Sequence, residues 1–395
     1  MPIPLTDILH PSNMHIGLPE IQIQPVTSPG QLREFIKLPW KIYRDDPNWV
    51  PPLIRQQKEI LDPQKNPFHD HADVQLFLAT RGDVVVGRIA AVVNHAHNEF
   101  HQEKTGFFGF FECVNNEAVA QKLLDTARDW LREQDMDTLR GPANFSSNDE
   151  WGMLIQGFDS SPVLMMPYNP PYYPELMERY ELAKAKDMYA YRMLKEEGIP
   201  ERLRRMAAKI VQKEGLTIRP IDMRDFDNEL KRIKTIYNNA WSKNWGFVPM
   251  TEAEFDHLAK QLKPLVVPEL VLFAEVDSQP AGFSLTLPDY NQALKHLNGR
   301  LFPFGIFKLL WYSRKIDHPR ILVMGVVHEY QRRGIDAVFY IKTWDAGMAR
   351  GYTWGEMSWI LEDNEMMKRA MEMMGGKVYK TYRIYEMEIR DREKR

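Results

Sequence analysis

Ile321-Leu-Val-Met-Gly-Val-Val-His-Glu-Tyr-Gln-Arg-Arg-Gly-Ile-Asp-Ala-Val-Phe339 joins three kinds of local chemistry without a spacer. The run 321–327 is continuously apolar, as a strand covered on both faces must be. A short basic loop with one glycine follows. Apolar Val338, Ile341, Trp344 and Met348 then recur at helical spacing over 337–350, and Gly351 stands where a helix C-cap belongs. A junction of this kind gathers backbone N–H groups at one point with a helix dipole behind them, which is a phosphate-binding arrangement. Gln331, Arg332, Arg333, Gly334, Ile335, Asp336 and Ala337 are the residues that would hold it. Asp336 runs against this reading: as an N-cap its carboxylate would occupy the same N–H groups and repel a phosphate.

Outward from this segment, the elements continue in an α/β order. Strands are expected at 216–221, 269–275 and 281–287 before it, and at 355–360 and 379–389 after it. Helical spacing covers 225–243 and 365–374. The same signals occur earlier in the chain. Ile23-Gln-Pro-Val26 returns as Ile218-Arg-Pro-Ile221, and Leu76-Phe77 with Gly87 returns as Leu272-Phe273 with Gly282, at offsets of 195 or 196. Tyr43 with Val50-Pro51 is echoed by Tyr237 with Val248-Pro249. Asn148 and Asn364 each open an apolar, helix-like stretch that closes on glycine. Two copies of one unit follow, 1–192 and 216–395, joined by a connector over 193–215 that contains an amphipathic basic helix packing its apolar stripe on one domain. The first copy has no counterpart of the basic loop: Phe107–Val119 offers no arginine after its strand and puts Glu117 at the helix start. That copy is expected to lack a phosphate site.

Here the sequence resembles the Gcn5-related N-acetyltransferase (GNAT) superfamily. Gln331-Arg-Arg-Gly-Ile matches the superfamily's pyrophosphate loop through five positions, with Asp336 departing at the sixth. Asn364 opening the last helix, with Gly375-Gly376 at its end, matches a second motif. The resemblance implies two tandem GNAT-like domains, each a mixed central sheet flanked by helices, with acetyl- or longer acyl-coenzyme A as donor substrate held in the second. It implies that the fourth and fifth strands splay to admit the pantetheine arm, and that an N–H near Val326 or Val327 holds the oxyanion. It also implies a base for the attacking amine, with Glu362 the first candidate and Glu356 the second. The superfamily's usual general acid, a tyrosine seven residues after the Asn, falls on Met371; Tyr382 or Tyr385 would substitute, or the thiolate leaves unaided. The reaction so implied is N-acylation of an amine bound between the domains. The alternatives are a non-catalytic acyl-coenzyme A carrier and an interaction scaffold.

The insertion 301–315, Leu-Phe-Pro-Phe-Gly-Ile-Phe-Lys-Leu-Leu-Trp-Tyr-Ser-Arg-Lys, favours a long-chain or lipid-like acceptor, with a faint similarity to ceramide-synthase-type acyltransferases of bacteria. It reads either as a cover for the domain interface or as a lid or membrane-surface dock. The proline-rich 165–174 is a brace or an aromatic cleft wall. Five histidines between His69 and His101 lack a metal-ligand pattern and read as hydrogen-bonding groups, with acid–base work by His97 or His101 as the alternative.

Composition sets the outer bounds. At 395 residues with 44% hydrophobic and 27% charged, the chain can bury two cores. A net charge of −3 gives no footprint for nucleic acid. The single cysteine, Cys113, excludes an internal disulfide and any cysteine-cluster metal site. No signal sequence or spanning run is visible, so a cytoplasmic location is expected, with residues 1–20 a loose arm.

Overall fold

The computed structural model describes residues 19–389 apart from Glu214 and Lys243. The first eighteen residues of the expected N-terminal arm lie outside that range. The first half contributes β1 (Ile21–Pro25), β2 (Ala72–Arg81), β3 (Val84–Asn94), β4 (Thr105–Cys113), β5 (Thr138–Gly141), the short ribbon β6 (Ala143–Asn144) and β7 (Glu150–Trp151), β8 (Met153–Gln156) and β9 (Ala183–Leu194). The second contributes β10 (Leu216–Pro220), β11 (Val271–Val276), β12 (Gln279–Pro288), β13 (Pro319–Val326), β14 (Trp354–Leu361) and β15 (Lys377–Glu388).

The internal repeat is visible as register. Ile23 faces Ala79 and Ala79 faces Gly87 in the first half; Ile218 faces Ala274 and Ala274 faces Gly282 in the second, again 195 apart. Both hairpins even carry their bulge at the same place, after Ala79 and after Ala274. In each half one parallel pair then follows, β4 with β5 and β13 with β14.

The two halves share one sheet. Its order is β1-β2-β3-β4-β5-β15-β9-β14-β13-β12-β11-β10, with β8 also paired to β15. Thus β15, the last strand of the second half, lies against β5 of the first, while β9, the last of the first, lies against β14 of the second. The exchanged strands pair with each other from Lys377–Arg192 to Glu386–Ala183. Of the four edges that two separate sheets would have, two are consumed in this way. The two that remain, β1 and β10, are five residues long and end in Pro25 and Pro220, so neither offers a long ladder to another chain.

One expectation fails here. Residues 148–157 form no helix; they run through β7 and β8, and Asn148 reaches the other half, where Tyr237 donates to its Oδ1 at 2.7 Å and its amide donates to Val248 O at 3.2 Å. Tertiary hydrogen bonds across the cleft outweigh the local apolar pattern. In the connector, the helix Glu201–Lys213 packs on Ile335–Ala349, with Arg204 forked on Asp345 at 3.0 and 2.8 Å.

Candidate active site

β13 and β14 are in register only at Arg320–Glu356 and Ile321–Met357. Beyond that point they diverge, although β14 stays paired with β9 as far as Leu361–Met188. A gap in a sheet leaves backbone donors and acceptors that an extended ligand carrying amides can complete. The gap opens into a cavity of about 210 Å³. Its walls come from Ile321–Met324 of β13, Met357–Leu361 of β14, Tyr237 and Trp241, and, from the first half, Asn148, Asp149 and Met165.

The equivalent gap in the first half is filled by its own chain. β4 and β5 pair only from Thr105–Thr138 to Phe107–Arg140. The amide of Phe110 then donates to Asn144 Oδ1 at 2.6 Å, and a Cβ on Gly109 would meet Ala143 O at 1.8 Å. At the following turn, Asn116 caps the helix Glu117–Glu133 through Val119 N at 3.1 Å. That side chain occupies one of the first-turn amides.

The basic turn of the second half differs on each point. Gly334 is the N-cap of Ile335–Ala349 at φ 80°, and no side chain caps that helix. Asp336 sits one position inside the helix, close enough to raise the pKa of Tyr340, and takes no part in capping. Of the conflict anticipated at Asp336, the capping part is absent, since its carboxylate does not occupy the first-turn amides, while its charge stays in the first turn. Arg332 is also left-handed, at φ 62°, which curves the loop into a concave run of N–H groups. The left-handed φ is what calls for glycine at 334; a Cβ there would also have to displace the Cδ1 methyl of Ile210 of the connector, 2.5 Å away. Gln331 donates to Val326 O at 3.1 Å and Arg333 to Glu329 O at 3.2 Å, bracing the turn. Val327 N is bonded to Ala281 O at 3.0 Å, which removes it as an oxyanion donor. Strand alternation turns the Val326 N–H the other way, toward the gap.

The acid–base candidates are redistributed. Glu362 is held by Lys184 Nζ at 2.6 Å and by the Asp187 amide at 3.1 Å, and it does not line the cavity; it braces β9. Glu356 is 1% exposed, and both its oxygens already accept hydroxyls, from Ser358 and Tyr379. Burial raises its pKa while neighbouring Arg320 pulls it back. Arg320 itself donates to Ser358 Oγ at 3.0 Å and Leu164 O at 2.6 Å. Tyr382 and Tyr385 are buried in the first half's cores, and the Tyr382 hydroxyl has no hydrogen-bond partner. Met371 is wholly buried on the inner face of the last helix, Glu365–Met373, whose N-cap is Asn364 through Met367 N at 3.2 Å.

The cavity does carry one carboxylate that sequence reasoning missed. Asp149 is open to the cleft, yet the walls of both halves desolvate it and push its pKa up to about 6. Ser146 Oγ donates to it at 3.0 Å. The signal available was its place directly after Asn148, as Glu365 directly follows the repeat counterpart Asn364. The histidines resolve into separate partners: His71 with Glu254 at 3.0 Å, His95 with Asp73 at 2.8 Å, His97 with Glu103 at 2.7 Å and His101 with Phe247 O at 2.8 Å. Among the described residues no group of three or more His, Cys, Asp or Glu could hold a metal ion. Of the 165–174 segment, expected as an inter-domain brace or an aromatic cleft wall, Met165 lines the cavity, and the Tyr168 hydroxyl donates to Asp46 of the same half at 2.9 Å.

Comparison with known proteins agrees with this architecture. The chain is 40% identical over 374 residues to a protein of Caulobacter vibrioides named Bacterial ceramide synthase, covering 93% of this chain and 97% of that one. The chain belongs to the bacterial ceramide synthase family. A second relative of the family, Protein YghO of Escherichia coli K12, is 37% identical over 367 residues, or 91% of this chain and 93% of its own. No family model matches. Among solved structures, a tandem GNAT protein from the clavulanic acid biosynthesis pathway superposes with a TM-score of 0.56 at 11% identity, over 94% of this chain and 99% of its own. A GCN5-related N-acetyltransferase from Sphaerobacter thermophilus gives 0.53 at 14% identity, over 95% and 98%. The fold is thus that of tandem GNAT proteins. A family member with this fold is an N-acyltransferase, and the carrier and scaffold readings fall away.

Proposed function

We propose that the protein transfers a long-chain acyl group from acyl-coenzyme A to the primary amine of a long-chain amino alcohol, the acceptor lying in the cleft between the halves. The observation that carries this is the junction of three parts in one place: an uncapped, glycine-turned helix start, a sheet gap able to pair an extended amide-bearing arm, and an apolar cavity holding one carboxylate. The relative named Bacterial ceramide synthase supports the acceptor class.

In this reading the diphosphate is bound by the turn 331–337, with Arg332 and Arg333 adding charge. The Val326 N–H polarises the thioester carbonyl. Asp149, ionised above about pH 6, takes the proton that makes the amine nucleophilic. Nitrogen bonds to the carbonyl carbon, the carbon–sulfur bond breaks, and the thiolate departs. With Met371 in the tyrosine's place, that departure relies on the low pKa of a thiol.

Palmitoyl-coenzyme A mixed with protein and a long-chain amino alcohol should release free thiol and yield the N-acyl amide by mass spectrometry. Thiol release without amide, or neither product with any chain length, overturns the reading. Coenzyme binding has its own test. At a hundredfold excess over Kd a ligand adds about 2.7 kcal/mol to the folded state, a readable rise in melting temperature. Gly334→Val, with a branched residue forced to φ 80°, should itself cost about 1–3 kcal/mol and lose that rise. An undiminished rise in the variant would place the coenzyme elsewhere.

A further inference from the structure

Between β12 and β13 the second half carries an insertion with no counterpart in the first. Its helix Gly305–Ser313 and the turn before it leave Phe302, Phe304, Phe307, Leu310 and Trp311 between 57% and 74% exposed. They account for half of the ten large exposed apolar side chains among the described residues, gathered within ten residues. Phe304, Phe307 and Trp311 follow the spacing i, i+3, i+7, with Leu310 beside them, so they share one helix face. A contiguous apolar surface of this kind is rare on a protein that acts alone.

Charge identifies what covers it. From Tyr290 to Ile316 there is no Asp or Glu, while Lys295, Arg300, Lys308, Arg314 and Lys315 all lie there, in a chain whose net charge is −3. Arg300, Lys308, Arg314 and Lys315 are exposed around the apolar face. Lys315 Nζ lies 5.4 Å from the centre of the Trp311 ring, which holds a cation at the rim of the aromatic patch. The helix is nine residues long, and no helix among the described residues is long and apolar enough to cross a membrane. An apolar face flanked by Arg300, Lys308, Arg314 and Lys315 suits an anionic bilayer surface, in which such a helix lies flat with its aromatic residues at headgroup level. A second copy of the chain would bring the same cations against themselves.

We infer that the insertion 302–315 docks the protein on anionic phospholipid membrane. Its root is fixed to the cleft: Asp289 accepts from the amide of Leu164 at 2.7 Å, next to cavity-lining Met165. Docking there brings the enzyme to a surface in which long-chain amphiphiles reside.

The test is sedimentation of the full chain with vesicles of phosphatidylglycerol and phosphatidylethanolamine, against phosphatidylcholine alone, without substrate. A failure here is therefore separate from a failure of the acylation reading. Wild type should pellet with the anionic vesicles, less so as salt is raised. Phe304→Ser/Phe307→Ser/Trp311→Ser should bind about a hundredfold or more weaker at an unchanged melting temperature. Lys308→Glu/Lys315→Glu should lose the salt-dependent part. Absence of wild-type binding, equal binding by the triple variant, or a concentration-dependent dimer that the triple variant abolishes would each overturn the proposal.

Discussion

Asp149→Asn is expected to lower kcat by about 10²–10⁴, the range that a positioned general base supplies. The wild-type pH profile should bear the same residue's mark. A base works only when ionised, and this carboxyl is pushed up to about 6, above the ordinary aspartate value near 3.9. Activity should therefore fall as pH drops through about 6, much nearer neutrality than an unperturbed aspartate would give. In the variant that acid limb should vanish, while the melting-temperature rise with acyl-coenzyme A is kept, because Asp149 lies away from the basic turn. Retention of the limb in the variant would assign the proton to another group. Glu362→Gln, by contrast, should leave the profile in place, since that side chain is spent on Lys184 and the Asp187 amide.

Arg320→Met carries the largest expected loss of stability. The guanidinium is buried with Glu356 at 3.9 Å, between the two strands that begin the gap. Removing one member of such a pair strands the other charge and costs about 3–5 kcal/mol. Arg320→Met/Glu356→Leu removes both and should melt at a higher temperature than Arg320→Met alone. The sign with pH follows from the direction of the shift. Burial raises the Glu356 pKa in the folded state, and without Arg320 the chief opposite charge that lowers it is gone, leaving the weaker pull of Lys380. The folded chain then binds that proton more tightly than the unfolded chain, so the deficit of Arg320→Met should shrink as pH falls through the folded value toward the unfolded one. A deficit that grows on acidification, or a double variant less stable than the single, would show that the pair is not what holds this corner.

The local elements were legible in the chain because they are local. The apolar run 321–327 came out as β13, Pro319–Val326, and the helical spacing of 337–350 as Ile335–Ala349. The 195-residue offset read from Ile23 and Ile218 returned as strand register, since repeated side-chain alternation reproduces which residues face which partner. The glycine turn at Gly334 was equally readable, because a left-handed residue before a helix calls for glycine.

What the tertiary structure alone decided is who meets whom. Alternation marks β9 and β15 as strands but carries no address, so their exchange between the halves could not be read from either. Nor could the filling of the first gap, where Asn144 takes the Phe110 amide that a ligand would otherwise need. Asp149 and Glu362 are both acids in a turn beside a strand, one just before β7 and the other just after β14. Only the folded cleft leaves one open and desolvated at a cavity and locks the other in an ion pair. A carboxylate's chemistry is set by its surroundings, and those arrive from residues far away along the chain.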